Sequence, residues 1–141
     1  MIRWFVACWV LAGFAASGQD AWLTVAGEPD RPDVNTIQVD PSTRVLGDAM
    51  LTMKVRVSRS NQRTSWDGIP YRSYESVVSF DCQNRTARYL TIHYFEKPLW
   101  EGQSYRTGDY SRGVPRFMAF RDVEPNPNVR IVNAACAILP K

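Results

Sequence analysis

Two groups of aromatic side chains lie beside arginines in polar stretches of this 141-residue chain. Tryptophan, tyrosine and arginine are the residue types enriched at the hot spots of protein–protein interfaces. Loops make few packing demands on such large side chains, so we predict that they bind a partner protein. The alternative is that they only seal the ends of a small β-domain. The predicted binding residues are Arg63, Trp66, Tyr71, Arg72, Trp100, Tyr105 and Arg106.

The chain offers little from which an active site could be built. His93 is its one histidine, and no serine motif lies near it, so a nucleophile would have no other imidazole to activate it. Carboxylates such as Asp81 and Glu75 have no spacing that singles them out as an acid–base pair. No glycine-rich phosphate loop opens a helix. We therefore expect a protein that is not an enzyme and that holds no cofactor or metal ion.

The first eighteen residues predict an export signal that is cleaved before Gln19. A positively charged start precedes the apolar run 4–16, and small residues follow that run. The run has fewer than the ~20 apolar residues that a membrane-spanning helix needs. Lipidation at Cys8 is the alternative, but Phe5 stands where leucine is usual in lipoprotein signals. The predicted mature chain is exported to the periplasm or the outer cell surface and has no membrane span.

The mature chain is predicted to form one domain, residues 19–141. Loss of Arg3 lowers its formal charge from +3 to +2. Acidic residues dominate the first third, and basic residues dominate two later stretches. Such blocks either steer an acidic partner or form a solvated face. Nucleic acid is not expected as a partner, because exported proteins rarely meet it.

Cys82 and Cys136 are the cysteines that remain after cleavage. Two cysteines in an oxidising compartment most often form one disulfide, and we predict this pairing. The long loop that it closes corresponds to about 4 kcal/mol of stabilisation in the chain-entropy model. A structural zinc site would need four ligands, which two cysteines and one histidine cannot supply.

Alternating apolar and polar residues predict a sheet of short strands. The predicted strands are 22–26, 36–40, 51–59, 76–82 and 86–96, with 116–121 as a sixth. Long loops are expected at 60–72 and 97–113. Lys54 and Arg56 lie on the polar phase of their strand, so substitutions there should cost almost nothing. The predicted shared core consists of Val55, Val57, Val78, Phe80, Leu90, Ile92 and Tyr94.

The C-terminal tail, 127–138, predicts a short amphipathic helix. Asn126 can cap its start, and Pro127 suits its first turn. Val129, Val132 and Cys136 would form the inner stripe. A final β-strand is the alternative, because Val129 to Val132 is rich in β-branched residues. The predicted fold class is α+β, mainly β: a single antiparallel, curved sheet with a C-terminal helix packed on it and one disulfide.

Several short motifs along the chain together resemble the surface-adhesin protein E family of Gram-negative bacteria. They are Trp22, the segment Ile37-Gln38-Val39-Asp40-Pro41-Ser42, the strand end Phe80-Asp81-Cys82, Arg88 and the spacing Val132 to Cys136. The resemblance implies an antiparallel sheet whose C-terminal helix is held by a Cys82–Cys136 bridge. The chain departs from the family pattern before the helix, where Phe117 and Phe120 stand instead of tryptophan.

The resemblance also implies what the protein binds. The named adhesin of that family binds host extracellular-matrix proteins, plasma proteins and haem. We therefore expect an exported envelope protein that acts by protein–protein binding, with a host matrix or plasma protein as the implied partner. The alternative is a small periplasmic inhibitor or ligand-binding module.

Overall fold

One antiparallel sheet forms the body of the protein. The computed structural model describes residues 21–47 and 50–137, and the predicted export signal lies outside them. Within these residues, six strands follow one another across the sheet in chain order. They are β1 Leu23–Ala26, β2 Thr36–Leu46, β3 Leu51–Thr64, β4 Pro70–Asp81, β5 Thr86–Phe95 and β6 Arg106–Asp109. A helix, α1 Asn128–Cys136, follows them. The predicted mainly-β class is confirmed.

The alternation along β3 sets the inner face of the sheet. Met53, Val55 and Val57 are buried, whereas Lys54 between them is exposed. Val78 and Phe80 of β4 point to the same side and are fully buried, as the sequence predicts. Apolar residues on one phase of each strand bury that face, and the polar phase forms the outer face.

The β3–β4 hairpin is much longer than predicted. The segment 60–72 was expected to be a loop, but β3 continues to Thr64 and β4 begins at Pro70. Arg63 pairs with Tyr71, and Thr64 pairs with Pro70, so only a short turn remains. The polar side chains of this extension do not join the core, so the sequence there shows no alternation of apolar and polar residues. Backbone pairing forms the strands nonetheless, which hydrophobic periodicity alone does not reveal.

A bulge in β5 changes which of its side chains face the core. Val77 pairs with Thr91 but Val78 pairs with Tyr89, so Leu90 is an extra residue on its strand. Tyr89 is therefore buried, and the prediction that Leu90 belongs to the core is wrong. Ile92 lies beyond the bulge and is in the core as predicted.

The predicted strand at 116–121 is wrong. Phe117 makes a single bridge to Arg88, and the segment otherwise has no strand structure. Phe120 has a φ of 40°, which lies outside the β region and ends the extended run. Its side chain is buried with that of Met118, so the apolar residues of this segment close the core without joining the sheet.

The predicted long loop at 97–113 also contains regular structure. A 3₁₀ turn, Pro98–Trp100, lies on the outer face, and β6 pairs with β5 at the sheet edge. The backbone N–H of Leu99 donates to Ser58 Oγ at 2.9 Å, and that of Trp100 donates to Ser73 Oγ at 3.1 Å. These serines hold the turn against the strands.

The predicted helix is confirmed, and it packs against β2, β3 and β4. The N-cap is Pro127, whose carbonyl oxygen accepts the backbone N–H of Ile131, and it makes no side-chain cap bond, so the prediction that Asn126 caps the helix is wrong. Asn126 Oδ1 accepts the backbone N–H of Asn128 at 2.9 Å, in the turn that leads into the helix. Val129 was expected on the inner stripe, but it is 68% exposed. The predicted Cys82–Cys136 disulfide is present and ties the end of α1 to the end of β4. Within the described residues, no helix has the length and apolar character to cross a membrane.

Candidate functional site

The structure does not bring the seven predicted binding residues together. Arg63, Trp66 and Tyr71 line one cavity of about 280 Å³ at the tip of the β3–β4 hairpin. Trp66 lies in the turn between the two strands and is 49% exposed. We call Arg63, Trp66 and Tyr71, with the neighbouring Arg59, the hairpin-tip site.

Trp100 and Arg72 make contacts that hold the chain together elsewhere. The Trp100 ring lies 3.9 Å from the Arg56 guanidinium, and its ring N–H donates to the Tyr74 carbonyl oxygen at 3.0 Å. The Arg72 guanidinium donates to three backbone carbonyl oxygens, those of Pro32, Arg59 and Ser60. Their binding role stays a prediction.

Tyr105 and Arg106 lie at the sheet edge next to the hairpin. The Tyr105 hydroxyl donates to the carbonyl oxygen of Pro70, the first residue of β4. Arg106 is exposed and pairs with Tyr94 across the ladder. Because cross-strand partners share a face, Arg106 lies on the face that carries the cavity.

Tyrosines form much of the cavity wall, and most of them were missing from the predicted site. Tyr74, Tyr89 and Tyr94 line it and are buried. Tyr94 was predicted as a core residue. The alternation along the sequence placed Tyr89 on the outer face, because it does not reveal the bulge that turns Tyr89 inward. The Tyr71 ring lies 5.5 Å from the Tyr74 ring and 5.1 Å from the Tyr94 ring, as in favourable tilted aromatic pairs.

The hydroxyls of these tyrosines bond to one another. Those of Tyr74 and Tyr89 are 2.6 Å apart, and those of Tyr94 and Tyr110 are 2.8 Å apart. The Tyr110 hydroxyl also donates to Asp67 Oδ2 at 2.7 Å. Burial raises the pKa of Tyr74, Tyr89 and Tyr94 well above its usual range. These tyrosines are therefore neutral, and each of their hydroxyls already has a hydrogen-bond partner.

Two arginines at the rim of the cavity share one carboxylate. Arg59 Nη1 lies 3.2 Å from both oxygens of Asp122, and Arg63 Nη1 lies 3.0 Å from Oδ2. Burial alone would raise the pKa of Asp122, but the charges of the two arginines outweigh it and lower that pKa. Arg116 adds a third cation, 5.5 Å from the Trp66 ring. The rim is thus mainly positive.

The residues of the cavity do not fit a haem iron. Among the described residues, no histidine lines the cavity, and His93 lies across the sheet, 3.1 Å from Thr107 Oγ1. Tyrosine binds iron as phenolate, and the raised pKa of Tyr74 and Tyr89 opposes that form. The described part of the chain also has no cluster of three or more His, Cys, Asp or Glu side chains.

A family model described as surface-adhesin protein E matches residues 22–137, from the residue before β1 to the residue after α1. The chain belongs to the surface-adhesin protein E family. Membership indicates an exported, adhesin-like protein of the cell surface that binds other proteins. Comparison of this adhesin E-family chain with curated proteins and with solved structures gives no match.

Proposed function

We propose that this adhesin E-family protein is a non-enzymatic envelope protein that binds a protein partner through the hairpin-tip site. The observation that carries the proposal is the half-exposed Trp66 at the mouth of an aromatic cavity with a positive rim. Aromatic anchors beside arginine are the usual composition of interface hot spots. The family resemblance makes a host extracellular-matrix or plasma protein the proposed partner.

The charge of the rim determines what kind of partner surface fits. Three cations and two carboxylates lie near the cavity mouth: Arg59, Arg63 and Arg116, and Asp122 and Asp67. The remaining positive charge would raise the association rate with an acidic surface, and added salt would screen this effect.

The cavity also favours a second candidate function, that of a small periplasmic inhibitor or ligand-binding module. Concave sites lined by aromatic side chains are typical of ligand pockets. Location separates the two candidates. Protease treatment of intact cells should degrade a surface adhesin and spare a periplasmic module.

The binding site can be tested with two matched tryptophan substitutions. Trp66→Ala should weaken binding to a captured matrix or plasma protein by about 2 kcal/mol or more, roughly thirtyfold. It should also lower the melting temperature, because the Trp66 ring contacts the rings of Tyr89 and Tyr110, so binding is compared at a temperature where the variant is folded. Trp100→Ala should lower the melting temperature, because Trp100 packs on Arg56 and bonds to the Tyr74 carbonyl. Full binding by folded Trp66→Ala protein would refute the proposed site.

A further inference from the structure

We infer that the hairpin-tip cavity takes one aromatic side chain of the partner that has a carboxylate beside it. This inference rests on the proposed function and adds the chemistry that the partner must present. Three features of the cavity carry it: its size, the hydrogen bonds among its tyrosine hydroxyls, and the charge of its rim.

The size of the cavity suits a single ring. Its volume is about 280 Å³, just below the ~300–1,000 Å³ of pockets that hold whole drug-sized ligands. The wall presents the rings of Tyr71, Tyr94 and Phe120. Aromatic rings attract one another at centroid distances of about 4.5–7 Å in offset or edge-to-face arrangements. An inserted ring can meet the wall in that geometry.

The polar atoms of the wall leave little for a polar ligand to bind deep in the cavity. The hydroxyls of Tyr74 and Tyr89 bond to each other, as do those of Tyr94 and Tyr110. A polar group inserted among them would have to compete with these bonds, and any polar atom left without a partner there costs free energy. An apolar ring has no hydrogen bonds to water to give up on entering, and its burial is favourable.

The rim supplies the preference for a carboxylate. Arg59 is 7% exposed, and its Nε has no hydrogen-bond acceptor among the described residues. Arg63 is more exposed, and it shares Asp122 with Arg59. Arg59 Nε is buried, so the donors that a partner's carboxylate can reach at the rim are those of the more exposed Arg63. A partner aromatic residue next to Asp or Glu would place its ring in the cavity and its charge at this rim.

Short peptides test this inference without the partner. We expect the blocked peptide Gly-Glu-Phe-Glu-Gly to shift the NMR resonances of Tyr71 and Tyr94. Gly-Glu-Ala-Glu-Gly, which lacks the ring, and Gly-Lys-Phe-Lys-Gly, which reverses the charge, should each bind at least about tenfold more weakly. Equal binding of the three peptides, or shifts confined to other surfaces, would overturn the inference.

Two substitutions test the contribution of the cavity and that of the rim separately. Ala119 lines the cavity, so Ala119→Leu should fill it and abolish binding of the acidic aromatic peptide. Arg63→Gln leaves the cavity open and should reduce the advantage of the acidic peptide over the basic one. This second variant keeps the test valid if Ala119→Leu protein does not fold, because an unchanged charge preference would contradict the inference.

Failure of this inference can be distinguished from failure of the proposed function. If Trp66→Ala abolishes partner binding while folded Ala119→Leu protein binds the partner fully, the hairpin-tip site stands and the inserted ring is wrong. If neither substitution affects partner binding, the proposed function itself fails.

Discussion

Arg56 lies on the outer face of β3 between two tryptophan rings. Its guanidinium is 4.3 Å from the Trp22 ring and 3.9 Å from the Trp100 ring. Its Nε donates to Gln38 Oε1 at 2.7 Å, and its Nη1 is 3.7 Å from Glu75 Oε1. The position of Arg56 on the polar phase of its strand does not predict these contacts, because the contacting residues lie far away in the chain. One arginine thus joins three strands and the 3₁₀ turn.

These contacts argue against the expectation that a substitution of Arg56 costs almost no stability. Arg56→Ala should lower the free energy of unfolding by about 1–3 kcal/mol, because it removes two cation–π contacts and a charged hydrogen bond. Lys54→Ala is the matched control on the same face; Lys54 is exposed, so its loss should change stability by less than about 0.5 kcal/mol. Urea unfolding measures both. Equal effects of the two substitutions would show that the tryptophan stack contributes nothing.

At the scale of elements, the sequence predicts strands where they bury apolar side chains and fails where they do not. The alternation from Leu51 to Val57 and the stripe of the helix identify their elements correctly. The hairpin extension to Thr64 has no apolar phase, and the bulge at Leu90 depends on pairing with β4. Both are set by partners distant in sequence, so local pattern could not reveal them.

The disulfide attaches the helix to the sheet, and its removal tests how much α1 depends on it. Cys82→Ala with Cys136→Ala should lower the free energy of unfolding by about 2–5 kcal/mol, since the bond closes a loop between residues 54 apart. Ile131 and Val132 should then show faster amide hydrogen exchange than Val55 in the central strand. A double variant as stable as the parent protein would contradict this role.

At the scale of the whole molecule, the inner face has two differently built ends. At one end the helix packs against β2, β3 and β4, whose core residues include Val39, Val55 and Phe80. The tyrosine-rich end carries the cavity and the extended hairpin. Trp66 and Tyr71 were predicted as binding residues from composition alone, but their cavity could not be, because Tyr89 and Phe120 reach it through a bulge and a non-β turn.

The tyrosine cluster should couple folding to alkaline pH. Burial is the main cause that raises the pKa of five tyrosines, Tyr71, Tyr74, Tyr89, Tyr94 and Tyr110. Because their pKa is higher in the folded than in the unfolded chain, where it is about 10, their contribution is complete below pH 10 and is lost as the pH rises further.

Phenolate absorbance and circular dichroism, recorded together during an alkaline titration, measure this coupling. Most of the phenolate signal should appear together with loss of the β-sheet signal. Ionisation of most tyrosines while the sheet signal stays intact would contradict the buried cluster.

The most direct test of the central claim is photo-crosslinking of the protein to its partner. A photoreactive phenylalanine at position 66 places the reactive group at the half-exposed hairpin tip, and the same residue at exposed position 54 on the outer face is the control. The protein is irradiated on host extracellular matrix, and the covalent products are identified by mass spectrometry. We expect a specific product from position 66 and none from position 54. Equal products from both positions, or a product from position 54 alone, would contradict partner binding at the hairpin tip.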